Sequence, residues 1–154
     1  MRLAGEFLFH GPREEVWELL LDPEVLAATM PGTKRLERVG EDEYRGSMHV
    51  RVGPVSAVFS SHIALSDKIP PESYSLRVRG KAGPGFVQGE AQVRLEAGED
   101  GTTLMKYQAD LRVGGLLASV GQRLLDSVGK GMVRQSLEKL NQALEERLKS
   151  KRDS

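Results

Sequence analysis

Residues 105–124 read MKYQADLRVGGLLASVGQRL, and the period of their apolar positions changes half-way along. Before Gly114-Gly115, Met105, Tyr107, Ala109, Leu111 and Val113 alternate with Lys106, Gln108, Asp110 and Arg112. That two-residue period belongs to a strand with one buried face. After the glycines, Leu116, Val120, Leu124, Val128, Met132, Leu137, Leu140, Leu144 and Leu148 recur at helical spacing. No proline interrupts residues 116–148, so the pattern predicts one continuous C-terminal helix about 50 Å long.

Working towards the N-terminus, the two-residue period recurs. Strands are predicted near 33–39, 42–52, 55–67, 72–81, 85–97 and 101–113. They are punctuated by Gly40-Glu41-Asp42, Gly53-Pro54, Pro70-Pro71, Gly83-Pro84-Gly85 and Glu99-Asp100-Gly101. Connections this short make the strands antiparallel hairpins. A further strand holds Leu3, Gly5, Phe7 and Phe9 on one face. Gly11-Pro12 ends it, and a short helix carrying Val16, Trp17, Leu19 and Leu20 follows. Asp22-Pro23 caps and starts a second short helix, which stops near Met30-Pro31-Gly32. The fold class is therefore α+β: a seven-stranded antiparallel sheet wrapped around a long C-terminal helix, with two short helices after strand 1. Residues 1–148 form one domain and residues 149–154 a basic disordered tail.

Alternation assigns an inner face. It carries Tyr44, Gly46, Met48, Val50 and Val52; Val55, Ala57, Phe59, Ser61, Ile63 and Leu65; Tyr74, Leu76, Val78 and Gly80; Val87, Gly89, Ala91, Val93 and Leu95; and Met105, Tyr107, Ala109, Leu111 and Val113. The list is apolar and rich in small residues, and the helix adds Gly121, Gly129 and Gly131. Two readings stand side by side: these residues leave a ligand cavity, or glycine permits close contact of helix and sheet. The hydroxyls of Tyr44, Tyr74, Tyr107 and Ser61 can orient a ligand or can bond within the protein.

The chain has 22 basic and 22 acidic residues and no cysteine. Charge balance leaves no electrostatic footprint for nucleic acid. Absence of cysteine excludes a disulfide scaffold and a thiol nucleophile and fits a reducing compartment. The N-terminus does not read as a signal peptide, and no stretch reaches the roughly 20 apolar residues of a membrane span. His10, His49 and His62 fall on outer positions without metal-ligand spacing. No inner position carries Asp, Glu, His, Lys or Arg, and acid–base catalysis needs such a group beside its substrate. The expectation is a binding protein, not an enzyme, with no metal and no tightly bound cofactor; a one-residue slip in register would bring Glu90 or His62 inside.

Asp22-Pro23-Glu24-Val25-Leu26, Met30-Pro31-Gly32, Val52-Gly53-Pro54, the Gly80 to Gly89 strand pair, Tyr107 and the stretch Val113 to Gly121 resemble, in order and spacing, the carbon monoxide dehydrogenase G-subunit family. The resemblance spans roughly residues 2–148 and implies a START-like, polyketide-cyclase-like helix-grip fold. It also implies a deep apolar cavity between sheet and helix, a lipid or quinone as ligand, and association with a molybdenum hydroxylase at or near the membrane. The expected ligand-binding residues are Tyr44, Met48, Ala57, Phe59, Ser61, Tyr74, Leu76, Gly89, Ala91, Met105, Tyr107, Leu117, Val120, Leu124 and Val128. Access is expected through the loops Met30-Pro31-Gly32, Gly53-Pro54, Gly83-Pro84 and Gly114-Gly115. The chain is expected in the cytoplasm, peripheral at the inner membrane face. Membrane contact is expected to be transient, through the basic tail and Val55, Phe86, Leu116 and Leu117. The alternatives are a recruitment partner of the hydroxylase with no ligand, and a cyclase or hydrolase on the same fold.

Overall fold

A computed structural model describes all residues, Met1–Ser154. The elements run β1 (Arg2–Phe9), α1 (Arg13–Leu21), α2 (Pro23–Thr29), β2 (Thr33–Gly40), β3 (Glu43–Val52), β4 (Val55–Ile69), β5 (Ser73–Ala82), β6 (Gly85–Ala97), β7 (Thr103–Gly115) and α3 (Gln122–Arg152). Every strand pairing is antiparallel, in the order β1-β7-β6-β5-β4-β3-β2. Strands β2 to β7 form a meander, and β1 closes onto β7 with Leu3 opposite Ala109 and Gly5 opposite Tyr107. The expected plan and the inner-face register are both present. His10 and His49 are exposed on the outside, and Glu90 is exposed there in an ion pair with Arg77 at 3.0 Å.

Two glycines let the sheet bend. A Cβ on Gly46 would collide with the carbonyl oxygen of Arg35, and one on Gly89 with that of Asp110. At these positions the neighbouring backbone comes too close for a side chain, so their small size serves sheet curvature. Asp22 caps α2 as expected: its Oδ1 accepts the Glu24 N–H at 3.0 Å, and Pro23 takes the first helical position.

The C-terminal helix differs from its predicted form in two ways. Residues Leu116–Val120 form a 3₁₀ turn, and Gly121 at φ +99° breaks the backbone before α3 begins. The break resets the helical phase, so Leu125 is buried while Leu124 is 37% exposed. The helix also continues through Arg152, so residues 149–152 are helical where a disordered tail was expected. Lys151 pairs with Glu15, and Arg147 lies 3.7 Å from both Glu18 and Asp22, which ties this last part of α3 to α1. No helix is long and apolar enough to cross a membrane.

Helix α3 approaches the sheet most closely at β1 and β3, on opposite sides of the curl. Most buried apolar side chains fall into two separate groups, with Leu3 and Tyr44 outside both. At one end Phe9, Val16, Trp17, Leu19 and Leu20 join Tyr74, Val93, Leu95 and Met105 under Leu137, Leu140 and Leu144. Trp17 meets Tyr74 edge-to-face at 5.4 Å, a favoured aromatic geometry. At the other end Val52, Val55, Phe59, Leu117 and Leu125 pack together.

Two consequences can be measured. Leu144 is fully buried, so Leu144→Ala is expected to cost about 2–5 kcal/mol in urea unfolding. Leu124→Ala is expected to cost less than about 1 kcal/mol, since its side chain is half in solvent. Burial raises the Tyr74 phenol above its ordinary value of 10.0. The unfolded chain therefore loses this proton first as pH rises, and the associated stability is complete below that value and declines above it. Urea midpoints taken on either side of tyrosine ionisation should fall less for Tyr74→Phe than for the unaltered protein.

Candidate functional site

Three neighbouring cross-strand rows occupy the middle of the inner face. Gly46, Ser61, Gly80, Val87 and Val113 form the first. Tyr44, Ile63, Val78, Gly89 and Leu111 form the second, and Leu65, Leu76, Ala91, Ala109 and Leu3 the third. Six of these fifteen positions are Gly, Ala or Ser, so little side-chain volume rises from the centre of the sheet. Met48, Ile63, Val78, Ala91, Ala109 and Leu111 are only half-buried, as is Met132 on α3, and none belongs to either core group. The total accessible surface is 8955 Å². A compact chain of 16.9 kDa is expected to show about 7,700 Å². The surplus agrees with an inner face that is not fully covered. Between the two core groups the inner face is thus a hollow in side-chain volume, lined by apolar residues that are only partly buried.

The hollow carries no carboxylate, imidazole, amine or guanidinium in its three rows. His62 sits on the outer face, 3.3 Å from Glu43. No group of three or more His, Cys, Asp or Glu side chains is placed to hold a metal ion. The chemistry available inside is apolar contact plus the hydroxyls of Ser61 and Tyr107. The Tyr107 ring lies across Gly5, where a Cβ would sit 2.6 Å from its hydroxyl oxygen. Glycine at position 5 therefore gives the phenol its resting place.

The expected ligand-binding residues divide into three sets. Met48, Ser61, Gly89 and Ala91 line the hollow, and Leu76 and Tyr107 border it against the first core group. Tyr74 and Met105 are inside that group, while Phe59 and Leu117 are inside the second, with Ala57, Val120 and Val128 packed on it. These seven close the two ends of the hollow. Tyr44 and Leu124 serve other purposes. The Tyr44 hydroxyl donates to the Leu21 carbonyl at 2.7 Å and accepts from Arg38 at 3.3 Å, and the Arg38 guanidinium lies 5.5 Å from its ring centre. This tyrosine fastens the end of α1 to β3. Leu124 points at the β3–β4 turn, 3.0 Å from a Cβ placed on Gly53.

Ile63, Val78, Ala109, Leu111 and Met132 share this half-buried region but are not among the expected ligand-binding residues. The hairpin registers that place the first four in the central rows were implicit in the turn positions. Of the two readings of the helix glycines, close contact holds at Gly129 and neither holds at Gly131. Gly129 stands at ordinary contact distance, 3.4 Å, from Leu3. Gly131 falls on the solvent side of α3, seven residues on from exposed Leu124, with no atom within 4 Å of a Cβ built there.

Three of the four access loops gather at one end. The Leu117 N–H donates to the Pro84 carbonyl at 2.9 Å, Gly115 and Gly85 are in close backbone contact, and Gly53 faces the first turn of α3. Met30-Pro31-Gly32 is separate, fixed beside β3 by the His49 N–H donating to Gly32 at 2.7 Å. At the loop end Leu116 is 62% exposed, whereas Val55 and Leu117 are buried and withdrawn from any surface role.

The fold recurs in solved structures. A conserved protein from Geobacillus kaustophilus is 33% identical, with a TM-score of 0.90 over 95% of this chain and 96% of that one. An aromatase/cyclase from Streptomyces is 18% identical, with a TM-score of 0.72 over 96% and 95%. A START superfamily protein from Mycobacterium smegmatis is 14% identical, with a TM-score of 0.71 over 94% and 97%. The last two establish likeness of fold alone. No curated protein matches the sequence. Residues 5–145 match the family of the carbon monoxide dehydrogenase G-subunit, CoxG. With this match over nearly its full length and the same fold in its structural relatives, the chain belongs to the carbon monoxide dehydrogenase G-subunit (CoxG) family.

Proposed function

We propose that this protein carries an apolar small molecule, a lipid or a quinone, in the hollow between its sheet and α3. It does so for a molybdenum hydroxylase of the carbon monoxide dehydrogenase type at the inner face of the membrane. One observation carries the reading: apart from buried Leu3 and Tyr44, the central rows of the inner face are apolar or small, uncharged and only partly buried, although both ends of the same face are tightly packed. Exposed apolar surface costs about 25 cal/mol per Å², and an apolar guest would recover that cost. The hydroxyls of Tyr107 and Ser61 are suited to a carbonyl or hydroxyl on such a guest. A quinone in this position would take electrons at the enzyme and surrender them at the membrane.

The protein acts as a carrier and not as a catalyst on its guest. The hollow brings no acid or base to the ligand, which a cyclase or hydrolase reaction would require. No tightly held cofactor is part of this function. Cysteine-free composition and the absence of a helix able to span a bilayer agree with a cytoplasmic carrier that meets the membrane transiently. The exposed Leu116 beside the loop end is suited to that meeting.

Trp17, the single tryptophan, lies in the core group that closes one end of the hollow, so its emission offers a readout for a quinone guest. Decylubiquinone is expected to quench it saturably. Ala91→Phe, which fills the middle of the inner face, is expected to weaken binding by more than about tenfold with stability unchanged or raised. A loss of about 1–3 kcal/mol on this substitution is the mark of an overpacked interior. Combined with no saturable quenching in either protein, it would leave the recruitment role in place of the carrier.

A further inference from the structure

The chain is neutral as a whole, yet its charges are not evenly spread over the outer face of the sheet. A concavity of about 680 Å³ opens there, away from α3, and its walls include Arg35, Arg45, His62, Arg79 and Lys81 and no carboxylate. Strand register explains the concentration. Arg45 stands opposite His62, His62 opposite Arg79, and Arg79 opposite Gln88. Lys81 is two residues along β5 from Arg79, on the same face and opposite Ser60. Adjacent strands lie about 4.8 Å apart, and Arg45 on β3 is separated from Arg79 and Lys81 on β5 only by β4, so two guanidiniums and an ammonium border one concavity. Two carboxylates on the bordering strands are engaged: Glu37, which stands opposite Arg45 in the register, pairs with Arg35 at 3.2 Å, and Glu43 with His62 at 3.3 Å. Arg45, Arg79 and Lys81 have no ion-pair partner in the chain. One row further on, Arg77 and Glu90 pair at 3.0 Å, and Asp110 faces Arg2 at 3.8 Å. The ordinary alternation of sign on a solvated sheet therefore holds there and fails at the concavity.

Cations gathered on one concave surface without ion-pair partners make a local positive potential that attracts an anion. We propose that this concavity is a binding site for a phosphate group, held by Arg45 and Arg79 with Lys81 as the third cation. Guanidinium presents a planar fork that matches two phosphate oxygens, and an ammonium adds a compact charge. The Ser60 hydroxyl and the Gln88 amide, both on the walls, supply neutral donors between the cations. The site is separate from the apolar hollow: it lies on the opposite face of the same strands and binds by charge. Its failure and the failure of the carrier reading are therefore independent.

The test is calorimetric titration of the full chain with inorganic pyrophosphate at low salt, paired with sedimentation against vesicles. One vesicle set contains phosphatidylglycerol in phosphatidylcholine and the other phosphatidylcholine alone. Arg45→Ala and Arg79→Ala are each expected to weaken pyrophosphate binding by at least about tenfold, while Arg77→Ala, one row away in a satisfied ion pair, is expected to leave it unchanged. If the same two substitutions also abolish sedimentation with the anionic vesicles, the phosphate belongs to a lipid headgroup. If the unaltered protein binds pyrophosphate but ignores both vesicle sets, the phosphate belongs to a diffusible molecule. Equal weakening by Arg77→Ala would mean diffuse attraction to the whole face, and no binding of pyrophosphate or anionic vesicles would mean no site; either result overturns the proposal.

Discussion

One α-helix is too narrow for this sheet. Seven strands about 4.8 Å apart make a face roughly 30 Å wide, whereas a helix with its side chains spans about 10–12 Å. The sheet must curl to reach the helix, and the curl depends on Gly46 and Gly89, where neighbouring carbonyl oxygens occupy the space of a side chain. Helix α3 then meets the two sides of the curl at β1 and β3 and stands off its centre. Helix α1 fills one end with Trp17, Leu19 and Leu20, and the turn before α3 fills the other with Leu117. What remains is the middle of the inner face, and there the chain places Ser, Ala and Gly beside half-buried Ile63, Val78 and Leu111.

This division of labour separates stability from function along the length of one sheet. The two packed ends hold the fully buried side chains, including Phe9, Leu95, Leu117 and Leu144. Ion pairs from α3 to α1 add orientation more than energy, since exposed pairs contribute little. The centre holds fewer buried side chains and, on the carrier reading, is left available to a guest. The outer face of the same strands carries the charge, so an apolar surface and a cationic surface lie back to back with only the sheet between them.

The sheet was legible in the sequence because its signals are local. Alternation at Met105 to Val113, and turn residues at Gly53-Pro54, Gly83-Pro84 and Gly101, specify strands, register and face together. The start of α3 was not legible, because Leu116, Leu117 and Val120 continue a helical spacing through a backbone that is not α-helical. Gly121 breaks the chain there without a proline, and the phase shift exchanges Leu124 for Leu125. The site was legible in part. Met48, Ser61, Ala91 and Tyr107 could be placed by alternation alone. The Tyr44 hydroxyl could not, because its partner Leu21 is 23 residues away on an element whose docking depends on the tertiary fold. Gly46 and Gly89 show why small residues mislead: their size answers a collision with backbone, which no one-dimensional pattern reveals.

The central claim is that the middle of the inner face is an accessible apolar hollow. The chain holds two isoleucines, Ile63 in the hollow and Ile69 on the surface at 55% exposure, so methyl NMR of isoleucine-labelled protein contains its own control. Under xenon pressure, or with a short-chain quinone, the Ile63 methyl resonance should shift saturably while that of Ile69 stays in place. An Ile63 resonance that does not move, or that moves only in step with Ile69, would mean that the interior is filled and that the account is wrong.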